Sequence, residues 1–323
     1  MNAVELRVRT RIHPDELEQK KGKVLADSDY NVLLTGPTNV FSPAGKILAR
    51  YLPGALKQPG LLEGSYDTLH ALKALQTNNR GLASGSPRIG RVAGSRWEYS
   101  ASISSALLGA FDPKTPRYYC RLTAFSGNEA ERYQKLFPLF EAIDHEFAEH
   151  EPERYGAQQA FIRNTHPDWR IADTAFTTVT VNNSYPTGVH TDKGDLDEGF
   201  STLAVLRRGD YRGGVFVFPE FRFAVDMQDG DLLLMDAHQW HGNTALFCNV
   251  CGDRIGPGGT DNHDVTCQTE RISIVAYYRT RMTECGSAEE EAAKASAWAE
   301  KTADWSEAKN PVLAQMAEEA ASG

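Results

Sequence analysis

Residues 177–246 read TTVTVNNSYPTGVHTDKGDLDEGFSTLAVLRRGDYRGGVFVFPEFRFAVDMQDGDLLLMDAHQWHGNTAL, and after a loop residues 271–279 add RISIVAYYR. Short runs rich in β-branched and aromatic residues alternate here with Gly- and Asp-containing turn sequences. Such a succession of short strands is typical of antiparallel sandwiches and barrels. This stretch therefore predicts a β-rich core, and the rest of the chain is interpreted around it.

The same stretch contains residue types that bind metals. His190 and Asp192 form a His-x-Asp pair after the strand-like run TTVTVNNSY, and His241 follows forty-nine residues after the aspartate. Side chains alternate along a strand, so His190 and Asp192 share one face. Two histidines and a carboxylate are the ligand set of non-haem iron(II) oxygenases, which leaves coordination positions open. The three residues predict an iron(II) site.

Two other His-x-Asp pairs occur, at His13-Pro14-Asp15 and His166-Pro167-Asp168. Each has proline in the middle and lies in loop-like sequence, where proline usually begins a turn or a helix. Asp15 is interpreted as a helix cap before ELEQKK. Neither pair is expected to bind metal.

His238 competes with His241 for the third ligand position. The two lie three residues apart, an odd step, so in an extended chain they point in opposite directions. Sequence parity separates them without deciding which one faces the metal.

Five pieces occur in order along this stretch: H190-T-D192, G213-G-V-F-V-F-P219, D229-G-D-L-L-L, W240-H-G242 and R271-I-S-I-V-A-Y-Y. Together they resemble the iron(II) and 2-oxoglutarate oxygenases, and specifically the TET/JBP family of nucleic-acid base oxygenases. The resemblance covers about a third of the chain. It implies an α+β fold with a double-stranded β-helix core (jelly-roll, cupin-like) and flanking helices, and it selects His241, in the W-H-G piece, as the third ligand.

The resemblance also implies a 2-oxoglutarate site. In the family an arginine at the start of the last core strand binds the second carboxylate, and Arg271 matches it, with Ser273 as a hydroxyl partner; Arg279 and Arg281 are alternatives expected to face solvent. Asn183-x-Tyr185 resembles an element that contacts the cosubstrate in related oxygenases. An algal member of the family uses ascorbate instead, so ascorbate stays open beside 2-oxoglutarate.

The substrate that the resemblance implies is a modified base in DNA, 5-methylcytosine, flipped out of the duplex. Asp195 matches a family position that reaches the edge of the flipped base, and its carboxylate suits the exocyclic amine of cytosine. Arg88 and Arg91, in a loop rich in Gly, Ser and Arg, are candidates for phosphate contacts. Two alternatives are a hydroxylase of a small molecule or protein side chain, and a cupin-like barrel that binds metal or ligand without turnover.

Arg271 follows His241 by thirty residues, which is about twice the family's usual spacing. The additional segment contains Cys248, Cys251, His263 and Cys267, a C-x2-C-x11-H-x3-C set whose residue types and order suit zinc. The alternative is a Gly-rich loop with incidental thiols.

Three regions are expected: residues 1–115 as an N-terminal mixed α/β layer packed on the core, 116–285 as the oxygenase core, and 286–323 as an acidic helical tail. Helices are predicted for AGKILARYLPGAL and SASISSALLGAF, and S287-x-x-E290 predicts a capping box that opens the tail helix. Trp298, Trp305 and Val312 repeat every seven residues and favour a helix docked on the body of the protein.

Composition limits the setting in which the chain works. It has 34 Lys and Arg against 43 Asp and Glu, a net charge of −9, which argues against a surface coated with phosphate-binding residues. The start MNAVELRVRTRIHPDEL lacks a signal-peptide core, no run is long enough to cross a membrane, and five cysteines do not suggest a secreted disulfide framework. We expect an intracellular monomer with no membrane partner.

Overall fold

The computed structural model describes residues 3–77, 90–92, 96–98, 103–114, 117–256 and 263–309; for 76–77, 90–92, 96–98 and 302–309 only the backbone is considered. Arg88 lies outside these residues, and the Arg91 side chain does as well. Their predicted phosphate contacts stay predictions.

The strands of the described residues fall into two groups. Those before residue 125 are β1 (Val4–Arg7), β2 (Val32–Leu34), β3 (Thr38–Phe41), β4 (Ile47–Leu52), β5 (Gln76–Thr77), β6 (Gly90–Val92), β7 (Arg96–Glu98), β8 (Ile103–Phe111) and β9 (Arg121–Leu122). Those after it are β10 (Thr178–Asn183), β11 (Ser201–Arg208), β12 (Tyr211–Gly213), β13 (Phe216–Phe218), β14 (Phe223–Val225), β15 (Leu232–Met235), β16 (Gly242–Asn243), β17 (Leu246–Cys248), β18 (Arg254–Ile255) and β19 (Glu270–Tyr277).

Helices flank these strands. They are α1 (Pro14–Lys20), α2 (Leu61–Ala71), α3 (Ala124–Asn128), α4 (Ala130–Gln134), α5 (Phe137–His150), α6 (Pro152–Asn164), α7 (His263–Thr266) and α8 (Ala288–Lys309). Short 3-10 turns occur at Asp27–Asp29, Leu72–Ala74, Pro167–Trp169 and Met282–Glu284. Of the described helices, none has both the length and the apolarity that crossing a bilayer requires.

A ten-stranded sheet is the largest among the described residues, with the order β1-β3-β4-β15-β11-β19-β10-β8-β5 and β9 beside β8. A smaller sheet, β16-β13-β14-β2, packs against its inner face, and a third contains β12, β17 and β18. The two facing sheets and the outer helices form the predicted α+β fold with a double-stranded β-helix core.

Strand alternation divides the core into two layers. On β11, Ala204 and Leu206 belong to an apolar cluster with the outer helices, whereas Leu203 and Val205 pack with residues of the smaller sheet. β10 follows the same rule: Val179 and Val181 join the helix-side cluster. Its intervening polar residues therefore face the space between the sheets, which is where the site lies.

Residues 1–115 and the core share one sheet. β4 pairs with β15, and β8 pairs with β10, so strands from the N-terminal region lie on both sides of the core strands. The hydroxyl of Tyr51 on β4 also donates to Asp231 just before β15, at 2.5 Å. The domain boundary near residue 115 stays a prediction. The strands before it belong to the same sheet as the core strands.

Two predicted helices are wrong. AGKILARYLPGAL contains β4, and SASISSALLGAF contains β8. Both are strands buried on the two sides, so their apolar residues do not alternate strictly with polar ones, and periodicity alone cannot separate such a strand from a helix.

The two proline-containing His-x-Asp pairs have a common structural role. His13 and His166 are N-caps, and each accepts a hydrogen bond through its ring Nδ1 from the backbone N–H of Asp15 or Asp168. The prediction that Asp15 caps α1 is therefore wrong by two residues, because proline at the first helical position leaves His13 as the cap. Neither pair belongs to a cluster of three or more possible metal ligands among the described residues.

The predicted tail helix is docked at its N-terminal half. Ser287 and Glu290 form the reciprocal capping box at its start: the Ser287 hydroxyl accepts from the Glu290 N–H at 3.2 Å, and Glu290 accepts from the Ser287 N–H at 2.9 Å. The Trp298 ring contacts that of Tyr119 at 6.0 Å. The Trp305 side chain and Val312 lie outside the described residues.

A disulfide joins Cys120, before β9, to Cys285, before α8. The sequence did not indicate this disulfide, because its two cysteines are 165 residues apart and only the fold brings them together. The other three cysteines, at 248, 251 and 267, are free thiols.

Candidate active site

The backbone positions His190 and His241 opposite each other. His241 immediately precedes β16, and His190 bridges to it through two backbone hydrogen bonds of 2.9 and 3.0 Å. Asp192 is held next to them, since its N–H donates to the carbonyl of Ala237 at 3.0 Å. The ring of Phe216, from β13, stacks on His241 with centroids 5.4 Å apart.

The three side chains converge on one point. The Nε2 atoms of His190 and His241 each lie 3.6 Å from a different carboxylate oxygen of Asp192, and the three ligand atoms are within 4.8 Å of one another. His190 Nδ1 donates to the Gly188 carbonyl at 2.7 Å, and His241 Nδ1 donates to that of Gln239 at 2.8 Å. A carbonyl can only accept, so each Nδ1 carries the hydrogen and each Nε2 presents its lone pair to a metal.

The charge of Asp192 dominates the electrostatics at this point. Burial of His241 disfavours the protonated ring, but its contact with Asp192 outweighs burial and raises the pKa of His241 above its ordinary value. A divalent cation bound between the three side chains would take the place of that proton. The donor set and its geometry fit iron(II), which proteins hold with two histidines and one carboxylate.

A cavity between the two sheets opens onto these three residues. Its wall includes residues of β10, β11, β13, β15, β16 and β19, with the three ligands and Asp195: Thr180, Asn182, Thr187, His190, Asp192, Asp195, Leu203, Phe216, Met235, His241, Asn243, Arg271, Ser273, Val275 and Tyr277. Arg271, Ser273, Val275 and Tyr277 are alternate residues of β19, so strand parity directs all four into the cavity.

Arg271 is a buried cation without a counter-charge in contact. The residue is only 4% exposed, and its Nη2 atom has no hydrogen-bond partner among the described residues. Burial lowers the pKa of Arg271, although a guanidinium stays charged at neutral pH. Gly214 leaves room for it, because a Cβ there would lie 3.2 Å from Arg271 Cδ. A buried charge in this state is costly unless a ligand pairs with it.

Tyr211, at the start of β12, provides a second unsatisfied group near Arg271. Its buried hydroxyl has no hydrogen-bond partner in the described part of the chain, and the charge of Arg271 acts on it. A guanidinium and a phenol are both donors to a carboxylate. Arg271 lines the cavity and so fits the distal carboxylate of a 2-oxo diacid whose other end reaches the metal, whereas Tyr211 is not among the described residues of the cavity wall.

The other residues predicted to contact the cosubstrate do not all lie at the cavity. Ser273 lines the cavity, but Asn183 and Tyr185 are not among the described residues of its wall. Asn183 points to the opposite face of β10 from Asn182, as alternation requires, and neither polar atom of its side chain has a partner among the described residues. Asn182 takes the place in the wall that the sequence interpretation gave to Asn183.

Asp195 lies in the cavity wall, as an acidic group 8% exposed. It accepts a hydrogen bond from the hydroxyl of Ser201, and its backbone bridges to that of Arg279. Burial, followed by the negative charge of Asp192, raises the pKa of Asp195 to about 7. The structure thus brings Asp195 into the same cavity as the metal ligands.

Arg279 was expected to face solvent, and this is wrong. It is 9% exposed, donates to Asp112 at 3.1 Å and to the hydroxyl of Tyr277 at 3.2 Å, and lies over the ring of Phe111. Its charge is therefore balanced within the protein, unlike that of Arg271. Arg281 pairs with exposed Glu284 on the surface.

His238 is engaged elsewhere. Its Nδ1 lies 3.1 Å from Asp236 and its Nε2 lies 2.9 Å from Asp197, and these two carboxylates raise the pKa of the His238 ring through a hydrogen bond and their charge. It does not belong to the cluster of His190, Asp192 and His241. The parity argument that separates His238 from His241 agrees with this geometry.

The four residues of the predicted zinc set also come together, away from the cavity. One ligand atom from each of Cys248, Cys251, His263 and Cys267 lies within 4.8 Å of the other three. Burial opposes ionisation of Cys248, but hydrogen bonds from the backbone and from Thr269 lower the pKa of its thiol to about 6.

A double-stranded β-helix with two histidines and a carboxylate at its open cavity, and an unpaired arginine in the same cavity, defines the class of iron(II) and 2-oxoglutarate oxygenases. The chain belongs to the Tet_JBP family, described as the oxygenase domain of the 2OGFeDO superfamily, because residues 112–280, just over half of its length, match the model of that family. Iron(II) and 2-oxoglutarate are the metal and cosubstrate of the superfamily.

Curated relatives share this core. The chain is 29% identical over 274 residues to the thymine dioxygenase JBP1 of Trypanosoma brucei brucei (84% of this chain, 28% of the relative) and 32% identical over 189 residues to that of Crithidia fasciculata (57% and 21%). It therefore spans less than a third of the length of either. The solved structure of NgTET1 in complex with 5mC DNA aligns with a TM-score of 0.51 at 13% identity, covering 84% of this chain and 93% of that one, which supports the fold.

Proposed function

We propose that this protein is an iron(II)- and 2-oxoglutarate-dependent dioxygenase that oxidises the methyl group of 5-methylcytosine in DNA. The observation that carries the proposal is the joint presence, in one cavity, of the His190–Asp192–His241 cluster and the unpaired cation of Arg271. A barrel that bound only a metal would have no need of this buried cation, so the arrangement supports a site for an anionic ligand beside the metal.

Each side chain has a distinct task in this reaction. His190, Asp192 and His241 would hold iron(II), which supplies the activation of dioxygen coupled to decarboxylation of 2-oxoglutarate. Arg271 binds the distal carboxylate and so fixes the orientation of the 2-oxo acid. One oxygen atom goes to the substrate methyl group and the other to succinate, with release of carbon dioxide.

The burial of the ligands favours a base presented outside the duplex. The His241 side chain is 3% exposed and that of His190 is 11% exposed, while Asp192 is 34% exposed and marks the open side. A methyl group inside stacked DNA cannot approach such a centre, whereas a flipped base can. The cost of flipping is a few kcal/mol, which is lowest for mispaired or single-stranded bases.

Asp195 supports cytosine as the base. An ionised carboxylate only accepts hydrogen bonds, so it pairs with the exocyclic amine of cytosine and repels the O4 acceptor of thymine. Its position in the cavity wall, with a buried carboxyl group, is consistent with contact to a substrate edge. Bound iron(II) would offset the charge of Asp192 and so favour the ionised form of Asp195.

Thymine is the second candidate, because the curated relatives are thymine dioxygenases. Thymine carries the same C5 methyl group, so the iron centre and Arg271 would serve either base. The two candidates differ only in the contacts at the base edge.

Decarboxylation of 2-oxoglutarate should be stimulated by DNA containing 5-methylcytosine and not by the same sequence with unmodified cytosine. Mass spectrometry of digested DNA then reports whether 5-methylcytosine or thymine acquires oxygen. Product from thymine alone would replace the first candidate with the second, and stimulation by neither would refute both. Substituting ascorbate for 2-oxoglutarate tests the cosubstrate in the same reactions.

Asp195→Ala should lower turnover of 5-methylcytosine DNA by about ten- to hundredfold, equivalent to the roughly 1–3 kcal/mol of one base contact. Iron and 2-oxoglutarate binding should persist. Asp197→Asn is the matched control, since its side chain is 85% exposed two residues further on. Equal activity of both variants would remove Asp195 from the substrate site.

A further inference from the structure

The insertion between β16 and β19 contains a tight hairpin that presents two thiols. β17 ends at Cys248 and pairs with β18, and the turn is closed by hydrogen bonds from Cys248 N–H to the Asp253 carbonyl and from Gly252 N–H to the Cys248 carbonyl, at 2.9 and 3.0 Å. Gly252 has φ of +84°, which glycine adopts without strain. The backbone N–H groups of Val250 and Cys251 donate to the Cys248 sulfur.

A helical turn presents the other two groups. His263 begins α7, and the N–H of Cys267 donates to the His263 carbonyl at 2.9 Å, so the two residues lie one turn apart on the same face. His263 is 3% exposed. The hairpin and the turn are two separate local structures whose ligand groups meet only through the fold.

Where they meet, the geometry suits a tetrahedral ion. Cys251 Sγ and His263 Nδ1 are 3.5 Å apart, and all four ligand atoms are within 4.8 Å of one another. Zn–S and Zn–N bond lengths require edges of roughly 3.6–3.8 Å in a tetrahedron. We propose that Cys248, Cys251, His263 and Cys267 bind a structural zinc ion, separate from the iron centre.

Zinc is preferred over other metals by the donors. Three thiolates and an imidazole close a four-coordinate site of soft ligands, which selects zinc over magnesium or calcium and leaves no open position for catalysis. Tyr211, Leu246 and Ile255 pack against Cys248 on the buried side of the cluster, whereas Cys251 is exposed.

The ion would fix the insertion next to α2, the 3-10 turn that follows it, and the last core strand, β19. Asp264 on α7 pairs with Lys73 at 2.5 Å, and Glu270, at the start of β19, accepts from the hydroxyl of Tyr66 on α2 at 2.8 Å. Cys267 is three residues before Glu270. Closure of the zinc site therefore stabilises the approach to β19 as well as the insertion itself.

Elemental analysis of the 323-residue chain, expressed with zinc and purified without chelator, should find one zinc per chain. Replacement by cobalt(II) should give the intense visible bands of tetrahedral cobalt and a thiolate charge-transfer band. Asp192→Ala should lose iron and keep zinc. Because this readout does not require turnover, failure of the dioxygenase proposal would leave it unchanged.

Cys251→Ser is the informative variant, since Cys251 is exposed and its replacement should fold. Its zinc affinity should fall by more than the roughly 10- to 100-fold typical of losing an outer-shell partner. Val250→Ser, in the same turn and 64% exposed, should keep both zinc and the cobalt spectrum. The proposal would be overturned by wild-type protein that lacks zinc and gives an octahedral cobalt spectrum. An iron–sulfur chromophore, or a disulfide between any two of the three thiols, would also overturn it.

Discussion

At Arg271 the fold maintains a charge that it does not itself neutralise, and this makes the residue informative. Arg271→Met should raise the apparent KM for 2-oxoglutarate steeply, because loss of a buried charge partner is worth about 2–5 kcal/mol, some thirtyfold or more. Without cosubstrate, the same variant should unfold with an unchanged or larger free energy, since an unpaired buried cation has become apolar. Steady-state kinetics and urea unfolding measure the two effects.

Arg212→Met serves as the control for Arg271→Met. Arg212 is exposed, with its guanidinium 2.8 Å from the side chain of Asn249, so its loss should change neither quantity appreciably. An unchanged KM in Arg271→Met would mean that another cation binds the distal carboxylate or that the enzyme uses another cosubstrate.

The two neighbouring histidines give the sharpest contrast at the metal. His241→Ala should abolish iron binding and turnover, as should His190→Ala and Asp192→Ala, because each removes one of three ligands. His238→Ala should retain most of both, since His238 contacts Asp236 and Asp197 instead. Iron stoichiometry and oxygen consumption decide the matter; a dead His238→Ala beside an active His241→Ala would reverse the assignment.

Single residues were predictable where parity alone determines direction. Ser273 follows Arg271 by two residues, and His238 differs from His241 by an odd step, and both predictions agree with the geometry. Parity also puts Asn182, not Asn183, in the cavity wall beside Thr180, a distinction that the alternation in TTVTVNN already contains. The burial of Arg279 was not readable, because its partner Asp112 is 167 residues away in the sequence.

Among the elements, α8 is attached to the body in part through the carboxylate of Glu291. Glu291, 1% exposed, accepts from the backbone N–H of Cys120 at 2.6 Å and of Gly286 at 2.9 Å, beside Lys294. Burial raises the pKa of Glu291, but Lys294 and the two N–H donors outweigh it, so the net shift is downward. The folded pKa is thus below the unfolded one.

A depressed folded pKa contributes stability that is present above the unfolded value of 4.5 and is lost as pH falls through the folded pKa. Glu291→Gln should cost about 1–3 kcal/mol at neutral pH, since one buried donor loses its acceptor. The deficit relative to wild type should shrink in acid. Thermal unfolding between pH 3 and pH 7 would show it, and exposed Glu289→Gln should follow the wild-type curve; a deficit independent of pH would contradict the role.

Element type was predictable where a helix cap or a strict alternation of polar and apolar residues marks the element, and it failed where neither is present. The capping box at Ser287 and Glu290 identified the start of α8, and the alternation in TTVTVNN identified β10. β4 and β8 were mistaken for helices because ILARYL and ISSALLGAF contain adjacent buried residues in place of a strict alternation of buried and exposed ones. Their strand character depends on pairing with β15 and β10, which are far away in the sequence.

At the scale of the whole molecule, the family match covers less than the folding unit. Residues 112–280 contain the proposed iron ligands and Arg271, yet β4 and β8 precede this range and pair with β15 and β10. Without them, two core strands would expose unpaired N–H and C=O groups, and Leu232, Leu234 and Val181 would lose apolar neighbours from the N-terminal region. The carboxylate of Asp231 would also lose its partners Tyr51 and the Gly54 N–H.

A fragment of residues 112–280 should therefore fail to fold cooperatively, whereas residues 3–309 should show one sharp transition. Loss of a buried partner of Asp231 alone costs about 1–3 kcal/mol, a large part of the 5–15 kcal/mol by which domains are stable, and the fragment loses two strand pairings in addition. Circular dichroism and urea unfolding of both proteins test this. Tyr51→Phe in the full chain isolates one lost contact and should lower the unfolding midpoint without changing cooperativity. A fragment that unfolds in one transition near the full chain's midpoint would show that the N-terminal strands are an addition to the core and not part of it.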